Sequence, residues 1–126
     1  MIPVKKDAIR WFEIAVADMP RAKKFYETIL GLSLIDAQMP GCQMAMFPCD
    51  PRNGVGGAIV LMDGMPPGVG GTMVYLNVNG GLDAVLPRIE SAGGKIWCPK
   101  FSIGEHGFIG IFMDTEGNAV GLHSLT

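Results

Sequence analysis

Charge is scarce in this chain, and long apolar runs are missing. Charged residues make up 17% of 126 residues, and the ten basic ones form no run. A net charge of −2 with scattered lysines excludes the concentrated positive footprint that holds a nucleic-acid backbone or an anionic membrane surface. No apolar stretch approaches the roughly 20 residues of a membrane span. The opening MIPVKKDAIRWF lacks the apolar core of a secretory signal, so the expected compartment is cytoplasmic. Cysteine is sparse as well: Cys42, Cys49 and Cys98 are an odd set without CxxC spacing, which reads as small apolar thiols. A Ser-His-Asp set, a P-loop, a dinucleotide fingerprint and zinc-finger spacing are all missing.

What the chain has is apolar mass and small residues. Hydrophobic residues reach 48%, with 18 glycines and nine methionines. That length and balance suit one folded domain with a real core. The glycines imply many turns, and the methionines imply adaptable apolar surface in the core or along a pocket.

The chain also repeats itself. Residues 10–16, RWFEIAV, alternate as a strand, with Trp11, Glu13 and Ala15 on one face. Asp18 is an N-cap, Pro20 suits a first helical turn, and Ala22, Phe25, Tyr26, Ile29 and Leu30 form one apolar face that ends at Gly31. Shifted by 62, residues 72–78, TMVYLNV, alternate again, and a second helical stripe, Leu82 to Ala92, ends at Gly93. Pro87 lies inside that stripe and should kink or shorten the helix. Strand-like runs follow each helix at 32–35, 43–47 and 58–62, and again at 95–98, 107–112 and 119–125. The predicted class is therefore α+β. It has two tandem βαβββ modules, about 8–62 and 72–125, and a Gly/Pro-rich linker over 63–71.

The segment WFEIAVADMPRAKKFYETILGL and the closing MDTEGNAVGLHS resemble the vicinal oxygen chelate family, which includes glyoxalase I, bleomycin-resistance proteins and extradiol dioxygenases. The resemblance runs from about residue 8 to 124. It implies curved sheets around a cavity with helices outside, and a homodimer. It also implies metal ligands, usually His and Glu, on the first and last strands of each module. The corresponding positions here are Trp11, Val60, Met73 and Gly121. None offers a donor for a hard divalent ion, so neither a metal site nor a cofactor is expected.

Strand parity then places Glu13, Tyr75, Asn77 and His123 on the same inward surface as those positions. Glu13 or His123 would serve as general base, with Tyr75 donating to a substrate carbonyl. The competing reading makes Glu13 and His123 a satisfied polar link. Trp11, Met73, Asn77, Trp97, Phe101, His106 and Gly121 are the candidate ligand-contacting residues, His106 in a Gly-flanked loop. Two functions follow: a small-molecule binding protein that needs no metal, or a metal-independent isomerase or lyase that moves a proton. A metal-dependent glyoxalase-like lyase or dioxygenase fits the four positions least. The expected partners are a small organic ligand and a second copy of the chain, with no nucleic acid and no membrane.

Overall fold

The computed structural model describes residues 3–9, 11–70 and 72–126. Arg10, at the start of the first predicted strand, and Gly71, at the end of the predicted linker, lie outside the described residues. The element order is β1 (Trp11–Ala15), α1 (Met19–Leu30), β2 (Ile35–Met39), β3 (Cys42–Met46) and β4 (Gly56–Met62). There follow β5 (Tyr75–Asn77), α2 (Leu82–Ser91), β6 (Lys95–Ser102), β7 (Phe108–Met113) and β8 (Ala119–Ser124). Each βαβββ run makes one four-stranded sheet, in the orders β1-β4-β3-β2 and β5-β8-β7-β6. The first strand of each module pairs parallel to the last, and the other pairs are antiparallel.

Local chemistry sets the helix ends. The Asp18 carboxylate accepts the Arg21 backbone N–H at 3.0 Å, satisfying one of the orphan donors of the first turn. Gly31 closes α1 in the left-handed region at φ 65°, its N–H donating to the Glu27 carbonyl, a conformation that costs glycine little. The second helix continues through Pro87 and is ten residues long against twelve for α1.

Three strands differ from the sequence reading. The run 32–35 is mostly coil: Leu34 is buried in the core and its N–H is taken by the Glu27 carboxylate at 2.8 Å, so β2 begins at Ile35. Its polar sequence IDAQM hid it, because an edge strand need not show an apolar face. In the second module β5 is only three residues, while β6 extends through Pro99 to Ser102 with two register shifts. An edge strand with irregular pairing tolerates a residue that has no N–H.

One core serves both modules. Phe25 and Tyr26 of α1 stack edge-on with ring centroids 5.0 Å apart, and Phe112 of β7 lies 5.9 Å from Phe25. Ile14, Ile59 and Ala45 line the helix side of the first sheet, and Leu76, Val120 and Leu122 line that of the second. Burying each large side chain contributes about 1.5–3 kcal/mol. The other face of each sheet has no helix on it: Trp11 is 43% exposed, Tyr75 46% and Phe101 41%.

A polar clamp ties the modules across this core. The β7–β8 turn puts Glu116 against the β1–α1 turn of the first module. Its carboxylate accepts the backbone N–H groups of Ala17 and Asp18, both at 2.9 Å, and the Arg21 guanidinium at 2.8 and 3.0 Å. Asp114 accepts the Tyr26 hydroxyl at 2.7 Å. The Asn118 amide donates to the Ala15 carbonyl at 2.7 Å, and its oxygen accepts the Gly68 N–H at 2.8 Å. Module, module and linker are thereby joined by one connected network.

Candidate functional site

The uncovered face of the second sheet collects most of the residues singled out in the sequence. Tyr75 lies directly opposite Gly121, and Asn77 directly opposite His123. Ile109 pairs with both His123 and Phe101, so Asn77, His123, Ile109 and Phe101 form one row across four strands. Strand partners in direct register share a face. The helix side is marked by Leu76 and Leu122 in the core, so this row faces away from α2. The Tyr75 ring packs against Gly121: a Cβ built on that glycine would sit 2.2 Å from the ring.

His123 Nε2 is 2.6 Å from the backbone carbonyl of His106. A carbonyl only accepts, so Nε2 is the nitrogen that carries a proton in this contact, and Nδ1 is the ring nitrogen that the contact leaves over. His106, in the short 3-10 turn Gly104–His106, thus meets the site through its backbone. Its side chain is exposed and lies 3.7 Å from Glu105. Trp97 stands at one of the two irregularities of β6 and is 54% exposed.

Glu13 belongs to the other sheet. It pairs with Ala58, is exposed, and accepts Trp11 Nε1–H at 3.2 Å. The structure therefore brings Tyr75, Asn77, His123 and Phe101 onto one face and sets Glu13 beside Trp11 on another.

A cleft of about 960 Å³ runs between the modules along β5. Phe12, Leu30, Leu32 and Phe47 line it from the first module, and the segment 72–79 with Val85 lines it from the second. Met73, Tyr75 and Asn77 border it, along with Asp7, Asp50 and Cys49. Two backbone hydrogen bonds, from Gly121 N–H to the Val74 carbonyl and from Val78 N–H to the His123 carbonyl, bind the even-numbered residues here to β8. By alternation the peptide groups of Tyr75 and Asn77 point to the free edge.

The register corrects one position. Glu13 and Tyr75 are 62 apart and pair with Ala58 and Gly121 respectively, so the first-module counterpart of Gly121 is Ala58 and not Val60. A shift read from the closing strands alone missed a two-residue offset that strand pairing makes visible. The four positions are then Trp11, Ala58, Met73 and Gly121. Their side chains supply an indole N–H donor, a methyl group, a thioether and nothing, which do not fit a hard divalent cation. Among the described residues no three His, Cys, Asp or Glu side chains gather as a metal-binding group.

Sequence reasoning passed over the clamp. Burial alone pushes the Glu116 carboxyl up. The hydrogen bonds from Arg21, Ala17, Asp18 and Thr115 outweigh it and hold the pKa down to about 2. Burial and the neighbouring Asp114 carboxylate push the Tyr26 hydroxyl well above its ordinary value. The signal was present in the DTEGN turn, where Asp114, Glu116 and Asn118 alternate in a segment flanked by apolar strands.

Two four-stranded sheets of the form βαβββ, each with one helix-covered face and one open face, define a paired-module α+β protein. The Glyoxalase/Bleomycin resistance protein/Dioxygenase superfamily model matches residues 8–122, and the chain belongs to that family. It is 32% identical over 117 residues to "Putative glyoxylase CFP32" of Mycobacterium tuberculosis; the match takes in 89% of this chain and 43% of that protein. The chain thus spans less than half the length of the curated relatives it matches. Solved structures share the fold at low identity. A glyoxylase/bleomycin resistance protein/dioxygenase domain from Frankia sp. superposes with a TM-score of 0.71 at 17% identity, covering 97% of this chain and 98% of that one. TnmS3, an antibiotic binding protein from Streptomyces sp. CB03234, gives 0.66 at 24% identity, covering 98% and 100%. Among the described residues no helix is long and apolar enough to cross a membrane.

Proposed function

We propose that this chain binds a small organic molecule in the cleft between its modules, without the metal that the family commonly uses. The observation that carries this reading is the cleft itself. It is large enough for a ligand of drug-like size and bordered by the strand that bears Met73, Tyr75 and Asn77. Its floor is apolar, and the rim supplies a phenol, an amide and the unpaired peptide groups of β5. That mix of apolar walls and a few directed polar groups is what small-molecule sites present. The antibiotic-binding role of TnmS3 supports the reading by analogy of fold.

Nile red, a neutral apolar dye, tests it. The wild-type protein should bind one dye per cleft with a blue-shifted emission. Leu32→Trp, which fills the cleft floor, should abolish the shift while the far-ultraviolet circular dichroism is kept. Undiminished dye binding by Leu32→Trp, or no binding by the wild type, would refute the proposal.

A second reading rests on His123. Its free Nδ1 beside Asn77 and Tyr75 suits proton transfer on a carbonyl compound, with Glu13 entering only from another chain. A homodimer that laid the first-sheet face of one copy against the second-sheet face of the other would supply it, and light scattering would then report twice 13.4 kDa. In such an enzyme His123→Gln or Glu13→Gln should cut turnover by roughly 10²–10⁴-fold, whereas in a binder either change alters affinity alone. The cytoplasm is the compartment proposed for either role.

A further inference from the structure

Three sulfur-bearing residues share one face at the tip of the first sheet. Pro40 and Gly41 make the two-residue turn between β2 and β3, with Gly41 at φ 81°, the left-handed value that a glycine following proline supplies in a type II turn. The turn sets Met39 directly opposite Cys42, and Cys42 lies directly opposite Met62 of β4. Residues paired this way project from the same face, with Cβ atoms about 4.5–5.5 Å apart. That face is the uncovered one, because the alternate positions Asp36 and Ala45 point to α1. Lys23 of that helix bonds the Asp36 carboxylate at 3.0 Å, and Ala45 is in the core.

Met39, Cys42 and Met62 together line a pocket of about 290 Å³, with the Asp63 carboxylate also at its wall. Cys42 is a free, half-buried thiol. Met44, two residues along β3, shares the face. A row of thioether, thiol and thioether is a set of soft donors, poorly suited to hard divalent ions and well suited to Cu(I).

We infer that Met39, Cys42 and Met62 form a soft-metal site that binds one Cu(I) ion per chain through three sulfurs. On binding, the Cys42 S–H bond breaks, its proton goes to solvent, and the thiolate takes the copper. The two thioethers add lone pairs, and copper keeps its oxidation state. Each ion bound through the thiol therefore releases one proton. The methionine side chains are flexible enough to close on the ion from either side. The site stands apart from the proposed cleft. It lies at the far end of β4 from Gly56, where Trp11 pairs, about 20 Å along the strand.

The test is an anaerobic titration of the reduced protein with Cu(I) buffered by bicinchoninate, with native mass spectrometry for stoichiometry and X-ray absorption for the ligand set. The wild type should bind one Cu(I) with sulfur neighbours only. Met39→Leu with Met62→Leu conserves apolar volume. It should weaken binding by more than the roughly 10–100-fold that outer-sphere changes cost, with the fold intact by circular dichroism. Cys42→Ser should abolish it, whereas Cys49→Ser with Cys98→Ser should leave both stoichiometry and affinity unchanged. Binding that survives the double leucine variant undiminished, that follows Cys49 or Cys98, or that shows nitrogen or oxygen neighbours overturns the inference, as does failure of the wild type to compete with bicinchoninate.

Discussion

Replacing Glu116 by glutamine tests how much the two modules depend on their clamp. The carboxylate side chain is fully buried and bonded to a guanidinium and to two backbone N–H groups of the first module. Its pKa falls from 4.5 to about 2 in the fold, which corresponds to at most about 3 kcal/mol of stability at neutral pH. Arg21 is half exposed, so solvent screens part of the pair and a figure nearer 2 kcal/mol is reasonable. Glutamine also turns an N–H₂ toward donors that need an acceptor. Glu116→Gln should therefore lose about 2–3 kcal/mol at pH 7, equivalent to a Tm lower by roughly 8–12 °C for a domain of this size. The sign follows from the depressed pKa: the contribution is complete above about 4.5 and disappears as pH falls towards about 2. Urea melts followed by the fluorescence of Trp11 and Trp97 at pH 7, 5, 4 and 3 would measure the gap between wild type and variant. It should be constant from pH 7 to 5 and narrow below that. A gap under about 0.5 kcal/mol at pH 7, the scatter of ordinary surface changes, would refute the reasoning, as would a gap that does not narrow in acid.

Three further outcomes follow from the same structure. Tyr26→Phe removes the 2.7 Å bond to Asp114 and should cost about 2 kcal/mol. Because the Tyr26 pKa is raised above 10.0, its contribution holds below that pH and fades above it, so alkaline melts of wild type and variant should converge. Asn118→Ala removes the bonds to Ala15, Asp114 and Gly68. It should cost about 2–4 kcal/mol and speed hydrogen exchange at the Gly68 amide. Gly121→Ala drives a Cβ into the Tyr75 ring and should cost about 1–3 kcal/mol; calorimetry on the double variant with Tyr75→Ala should recover most of it, and additive losses would show that the ring is not the obstacle.

The modules were legible in the sequence because each is written twice. Two helix stops 62 residues apart and matching alternations before them carry fold-level information that no single strand could. The edges were legible only in part. KIWC was readable as the start of β6, but its bulged continuation through Pro99 to Ser102 and the polar IDAQM of β2 obey no simple period, since an edge strand answers to one neighbour and to water. Parity correctly put Tyr75, Asn77 and His123 on one side of one sheet. It could not say that Glu13, which obeys the same parity, faces solvent from a different sheet, because parity fixes a side chain's face and says nothing of how two sheets are set. The clamp escaped for a related reason: Asp114, Glu116 and Asn118 read as a turn, and their partners in the linker and the first module lie 50 to 103 residues away in the chain.

The seating of Tyr75 on Gly121 also couples two positions that lie 46 residues apart in the chain. A side chain introduced at 121 meets the ring before it meets anything else. Room on this face therefore has to be made at 75 before 121 can carry any group at all. The two residues change together or not at all, so the chemistry open to this face is set by a pair and by neither residue alone.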